Sequence, residues 1–326
     1  MTVQTAARRA IGASLLAGVL AAVSHPAPAS SWPDRGVRII APAAGSPADI
    51  AARLIGEVLS KRWKQPVVVD NRPGADNIIA IRGLLEAGDG HTLLFVTHSA
   101  VTVNGFLHAK LPYDPVHDLA PISLVVDDFL GIVVAPTLAP NSLADLVKLA
   151  ASKAGELNVY AVPGSPTLTW LVLQKQSGIT TTFVPYRTPA AAIADLSEGR
   201  IQAALVPLAF VRGPLAAEKI KLLAVTNATR SPVAPNAPTV AEAGFPDLTF
   251  GGMLGLFSPK EMPLDVREAI ASAVQDALAM PEIAQRLEGA GLAPRGTSPA
   301  EFARILEEQR AKWATIAREH NIKPRQ

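Results

Sequence analysis

The sequence predicts an α/β chain of two lobes, each a mostly parallel sheet flanked by helices, joined by two hinge crossings. Three observations carry that prediction. Short β-branched apolar runs, at 37–40, 67–69 and 93–97, alternate with segments of helical period, the pattern of strands covered on both faces by crossover helices. A strand followed by Gly-Ser-Pro and a helix occurs twice, at Gly45-Ser46-Pro47 and Gly164-Ser165-Pro166. Two apolar stretches, 124–134 broken by Asp127-Asp128 and 250–257 with Gly251-Gly252, read as passages between lobes. The expected lobes are residues 30–128 with 252–326, and residues 129–251.

The first thirty residues stand outside this scheme. Arg8 and Arg9 precede an apolar run from Ala10 to Val23, and Ala27-Pro28-Ala29 is a small-residue cleavage pattern. That is a secretory signal peptide, residues 1–29, with cleavage expected after Ala29 and the periplasm as destination. The apolar run is too short to span a bilayer comfortably. Its removal takes away two arginines and no acids, so the formal charge falls from +2 to 0. No charge excess then points to nucleic acid or a membrane surface. The chain has no cysteine, which excludes disulfides, thiolate metal sites and a cysteine nucleophile. With 49% hydrophobic and 18% charged residues, the composition is that of a folded chain and not a disordered one.

In order, Val37 to Ile40 is a strand, and Ala43 to Gly45 is a small-residue turn. Ser46 serves as N-cap, Pro47 as first helical residue and Asp49 as the acid of a capping box. Ile50, Leu54 and Val58 form the buried stripe of the helix that follows. Residues 66–70 make a second strand, 71–77 a turn-rich loop, 78–87 a helix and 93–97 a third strand ending at His98-Ser99. The second lobe repeats this: a helix over 143–152, a strand over 159–162, the second Gly-Ser-Pro helix, and a strand over 181–184. A helix capped by Thr188 and strands over 203–206 and 222–226 complete it. Two closing helices, 264–280 and 299–318, are expected to pack on the first lobe.

In parallel sheets ligands sit beyond the carboxyl ends of the strands. Ala43 to Asp49 and Thr97 to Ala100 share that address. Helix N-termini also present unpaired N–H groups and the positive dipole end, which suits an anion. Arg187, between a strand and a helix cap, meets a ligand carboxylate bidentately or is an exposed loop arginine; both readings stand. His98 is the one histidine at a strand end, with a surface-loop role as the alternative. The histidines are spaced too irregularly for a helical metal site, and no nucleophile elbow, P-loop, dinucleotide fingerprint or H-E-x-x-H occurs. No metal and no cofactor are expected. Asp127 and Asp128 are read as hinge or surface residues, and the four tryptophans as packing.

These motifs resemble a family. Gly45 to Arg53, Gln65-Pro66-Val67-Val68-Val69-Asp70-Asn71-Arg72-Pro73-Gly74-Ala75 and Asp89-Gly90-His91-Thr92-Leu93-Leu94 are similar to the Bug-type substrate-binding proteins of tripartite tricarboxylate transporters. Leu111 to Pro115, Val184-Pro185-Tyr186-Arg187, Ala224-Val225-Thr226 and Ala237 to Gly244 continue the likeness in the same order. The resemblance implies a two-lobed, type II-like periplasmic binding protein, expected as a monomer, that closes on a small organic carboxylate. It implies ligand contacts, largely through backbone N–H groups, from Ala43, Ala44, Gly45, Ser46, Ala48 and Asp49. It further implies Thr97, His98 and Ser99, and Val162, Pro163, Gly164, Ser165 and Thr167. The implied partners are that carboxylate and the membrane components of a tripartite tricarboxylate-type transporter. Departures concern the ligand: the first loop has one glycine and a Pro47 with no N–H, and Asp76-Asn77 stands where glycines are usual.

Three functions follow. One is delivery of a carboxylate to a membrane transporter; a second is presentation of it to a membrane signalling protein. The third, a periplasmic enzyme, lacks a visible nucleophile–base pair. Asp49 is expected to act as a local brace and not as a salt-bridge partner of the ligand, with Asp49→Asn weakening binding by about one helix cap's worth, ~1 kcal/mol.

Overall fold

The computed structural model describes residues 32–319, 321, 322 and 324. The expected signal segment, its cleavage site and His25 and His320 lie outside the described residues.

Val37–Ala41 (β1) leads into Pro47–Trp63 (α1), Val67–Asn71 (β2), Ile78–Ala87 (α2) and Thr92–Thr97 (β3). These β–α–β units place β1 between β2 and β3, parallel to both. One-turn helices Ser99–Thr102 (α3) and Asn104–Leu107 (α4) follow, then Leu119–Asp128 (β4). The chain passes through Phe129 into a second sheet, beginning with Leu130–Val134 (β5) and Leu143–Ser152 (α5). Asn158–Ala161 (β6), Ser165–Ser177 (α6), Thr182–Phe183 (β7) and Pro189–Ser197 (α7) come next. Ala203–Pro207 (β8), Leu208–Ala216 (α8) and Lys221–Val225 (β9) complete that sheet. The chain returns with Gly252–Pro259 (β10), Leu264–Leu278 (α9), Pro281–Gly289 (α10), Leu292–Pro294 (β11) and Pro299–Glu319 (α11).

The sheet orders are β11-β4-β10-β3-β1-β2 and β7-β6-β8-β5-β9. Leaving β11 aside, they are the same arrangement twice. Three parallel strands built by crossover helices stand beside one strand arriving from the other lobe, with one more strand beyond it. The arriving strands, β10 and β5, run antiparallel to both neighbours. Each sheet is therefore mixed, with most strands running one way and the arriving strand running against its neighbours. A strand that enters straight from the other lobe has no helical crossover to turn it parallel.

Three corrections follow at the chain's end. The helix expected over 264–280 stops at Leu278, and Pro281 opens a separate α10, since proline suits a first turn but not a helix interior. The short edge strand β11 is too brief to show period. The closing helices pack on β4, but α11 also reaches the second lobe. Trp313 and Ile316 join a core cluster with Leu168, Trp170 and Phe250, and Trp313 stacks on Phe250 with ring centroids 4.2 Å apart. Lys312 Nζ donates to the Thr249 carbonyl (2.7 Å) over the same ring. Period alone reveals which face of a helix is buried, not which lobe buries it.

The two crossings are stitched side by side. Asn227 Nδ2 donates to the Asp128 carbonyl (3.2 Å) while its Oδ1 accepts from Leu130 N–H (3.1 Å). Thr226 Oγ1 donates to the Phe250 carbonyl (2.7 Å). Asp128 sits in this seam, 3% exposed, so it is a buried residue of the crossing and not a surface one. Burial pushes its carboxyl up to about 8, and the neighbouring Asp127 charge adds to the effect. Asp127 itself is paired with Arg295 (3.3 Å).

Candidate functional site

Loops at the carboxyl ends of parallel strands in the two sheets come together between the lobes. After β1, Gly45 turns the chain at φ +73°, a value glycine adopts freely. Ser46 caps α1 as expected, its Oγ accepting from Asp49 N–H (3.2 Å), with Pro47 next. Asp49 is 4% exposed. Its Oδ2 accepts from Gly45 N–H (2.9 Å), and its Oδ1 from Arg53 Nε (3.0 Å) and Asn71 Nδ2 (2.8 Å). Asn71 also donates to the Pro42 carbonyl (3.0 Å) and accepts from an Arg53 guanidinium nitrogen (2.9 Å). One carboxylate thus ties together the turn after β1, the start of α1 and the end of β2. Burial raises the Asp49 carboxyl, but hydrogen bonds from Arg53, Asn71 and Gly45 and the Arg53 charge outweigh it and hold it below its ordinary value. Asp49 is ionised and neutralised within the loop.

At the end of β3, Thr97 Oγ1 and Ser99 Oγ lie 2.8 Å apart. His98 between them turns the other way. It is 1% exposed; its N–H donates to the Met253 carbonyl (2.9 Å), and its ring Nδ1 lies 3.3 Å from the same oxygen. Its carbonyl accepts from Val101 N–H, Thr102 N–H and Thr102 Oγ1. Burial pushes the imidazole down to about 4, so the ring is neutral at pH 7. The surface-loop alternative is corrected: His98 fastens β3 to β10.

The second Gly-Ser-Pro loop differs from the first in its capping. Gly164, at φ +100°, is itself the N-cap of α6, and Ser165 is the first helical residue. Ser165 and Thr167 are buried, Thr167 Oγ1 donates to the Val162 carbonyl (3.1 Å), and Pro163 is exposed. The two lobes touch here. A Cβ on Gly164 would stand 2.7 Å from Ser99 Oγ, so only a hydrogen fits against the first lobe. Among the described residues no acceptor meets the N–H groups of Ala44 and Ala48 in one lobe, or of Gly164, Ser165 and Thr167 in the other. Ala43, Ala44 and Gly45 are exposed.

Arg187 is exposed in the loop after β7 and has no hydrogen-bond or ion-pair partner among the described residues. It lies at the same strand-end edge, outside the Ser99–Gly164 contact. Sequence reasoning passes over Arg53, Asn71 and Asn77, because asparagines in a turn-rich loop have a local explanation. Asn71 closing β2 beside β1 was the available signal. A cavity of about 1180 Å³ lies elsewhere, between α8, β9 and the 233–243 segment, and shares no residue with these loops. Among the described residues no group of three or more metal-ligating side chains occurs.

Residues 51–322 match the family described as TctC, tripartite tricarboxylate transporter family receptor. A UPF0065 protein of Bordetella bronchiseptica is 34% identical over 316 residues, covering 95% of this chain and 93% of the relative. The fold is similar to that of R. palustris Rpa4515 with adipate, at 30% identity and a TM-score of 0.84, covering 90% of this chain and 100% of that one. It is similar also to MatC from Rhodopseudomonas palustris with bound malate, at 27% identity and a TM-score of 0.80, covering 87% and 99%. Sequence and fold agree across nearly the whole described length: this chain belongs to the TctC family, the receptors of tripartite tricarboxylate transporters.

Proposed function

We infer that this periplasmic receptor captures a small organic carboxylate between its lobes and delivers it to the membrane components of a tripartite tricarboxylate-type transporter. The observation that carries the reading is the contact of the second Gly-Ser-Pro loop, at Gly164, with Ser99 at the end of β3 in the other lobe, beside helix starts in both lobes whose N–H groups lack an internal acceptor. Backbone N–H groups at helix starts complement a carboxylate without placing a fixed charge in the cleft. The first lobe offers Ala44 and Ala48 beside the Thr97 and Ser99 hydroxyls; the second offers Gly164, Ser165 and Thr167. Asp49 holds its loop in shape, and His98 fixes the end of β3. Arg187 stands at the cleft edge as a cation for a second carboxylate. The lobe boundaries at 128/129 and 251/252 serve as the hinge, and ligand-driven closure follows the pattern of two-lobed binding proteins. The neighbours solved with adipate and with malate favour dicarboxylates as first candidates.

A thermal-shift screen of the mature chain, from Ser30 onward, tests this against dicarboxylates, tricarboxylates, aromatic acids and amino acids. A ligand at a hundred times its Kd adds about 2.7 kcal/mol of stability. Stabilisation by a dicarboxylate is the expected result. A flat screen on protein shown to be free of co-purified ligand would overturn the carboxylate reading.

A further inference from the structure

The loop that leads into α2 holds an unusual backbone. After Gly74, three successive non-glycine residues are left-handed: Ala75 at φ 47°, Asp76 at 54° and Asn77 at 71°. Side chains disfavour that region, and runs of it persist only where the surroundings over-determine them. Here the surroundings are the segment that begins with Ser99. Asn104, 1% exposed, donates from Nδ2 to the Asp76 carbonyl (2.9 Å), and His108 Nε2 lies 2.6 Å from Asp76 Oδ2. Asn104 Nδ2 also donates to Tyr113 OH (3.0 Å), which is anchored on the Ala100 carbonyl. The turn and the α3–α4 segment are therefore clamped as one unit.

What the clamped turn delivers is Asn77. Its Nδ2 lies 3.4 Å from Thr97 Oγ1, which is 2.8 Å from Ser99 Oγ, which abuts Gly164 of the other lobe. An amide and two hydroxyls thus form a row ending at the lobe contact. The bond from Asn77 is long and weak, so a ligand atom replaces it at little cost. The row is uncharged and holds both donors and acceptors. It matches a neutral oxygen better than a second carboxylate, which wants cations or N–H donors alone.

We propose that Asn77 is a specificity-determining residue that reads a hydroxyl or carbonyl oxygen on the carbon chain of the carboxylate. The left-handed turn and its Asn104–His108 clamp position it. The inference rests on the carboxylate reading above and narrows it to hydroxy- or oxo-acids.

The test is calorimetric titration of the mature chain with malate and with succinate, which differ by one hydroxyl, on the wild type and on Asn77→Gly. Glycine accepts φ 71° without strain, so the variant folds, with an unfolding midpoint equal to or above that of the wild type. The wild type is expected to prefer malate by roughly tenfold, the worth of one good hydrogen bond. Asn77→Gly is expected to lose that preference while its succinate affinity stays within about twofold. Equal binding of the two acids by the wild type, or a preference that survives in Asn77→Gly, overturns the inference alone. A destabilised Asn77→Gly that loses both acids equally overturns it too, because Asn77 would then be a structural brace. Binding of neither acid, nor of any other carboxylate, by the wild type overturns the parent reading along with it.

Discussion

Asp49→Asn separates a loop brace from a ligand contact. The carboxylate accepts three hydrogen bonds: Gly45 N–H and Asn71 Nδ2 from its own lobe's loops and Arg53 Nε from the next turn of α1. An asparagine keeps one oxygen for Arg53 and Asn71 but turns an NH2 towards Gly45 N–H, donor against donor. It also removes the charge from the two bonds it keeps. Charge-assisted bonds are roughly twice as strong as neutral ones, so weakening two and losing one costs about 1 kcal/mol each. The Arg53 side chain is 51% exposed, so its share is discounted for solvent, which leaves a total of about 2 kcal/mol. That exceeds the ~1 kcal/mol expected of a cap alone, because Asn71 and Arg53 extend the network beyond the helix start. Urea unfolding at pH 7, with an unchanged m-value, measures the stability loss, and titration with the carboxylate that stabilises the wild type in the thermal-shift screen measures binding. A loosened loop raises Kd by no more than about tenfold. A stability loss below ~0.5 kcal/mol would refute the bracing network, and abolished binding in a folded variant would show that Asp49 touches the ligand.

Two further outcomes follow from the lobe contact and the hinge. Gly164→Ala places a methyl 2.7 Å from Ser99 Oγ, whereas Gly45→Ala, also at positive φ, meets nothing within 4 Å. Both are expected to lose about 1–3 kcal/mol to backbone strain, but only Gly164→Ala abolishes ligand-induced compaction in small-angle scattering; equal compaction in the two would sink the interlobe clash. For Asp128 the folded pKa, about 8, stands above its ordinary 3.8, so folding favours the protonated acid. Its contribution is fully present below pH 4 and is lost as pH rises through 8. Asp128→Asn is expected to flatten the decline in thermal midpoint between pH 5 and pH 8 that the wild type shows; parallel profiles would refute the assignment.

Local chemistry made much of the fold legible. The cap at Ser46, the helices over 143–152 and 78–87, and the crossings near 128 and 251 rest on patterns within a few residues, and the structure has them. Short-range patterns misled in two places. Ser165 looks like Ser46 in sequence, yet Gly164 caps the helix, because the conformation there answers to the packing of Ser99 in the other lobe. His98 has the sequence address of a ligand residue and the environment of a core one, since β10, which accepts its N–H, arrives from 155 residues away.

By itself the sequence determined the class of fold, the family and the location of two Gly-Ser-Pro loops at strand ends. Those follow from period, capping and motif order, which are properties of neighbouring residues. The tertiary structure decided which groups those loops leave unpaired, and which side chains stand beside them. It brought Asn71 to Asp49, Asn77 to Thr97 and Ser99 to Gly164, and it buried Asp128 at the crossing. Each of these is a contact between segments distant in the chain. Hydrogen-bond satisfaction and burial depend on such contacts, and period and propensity carry no information about them.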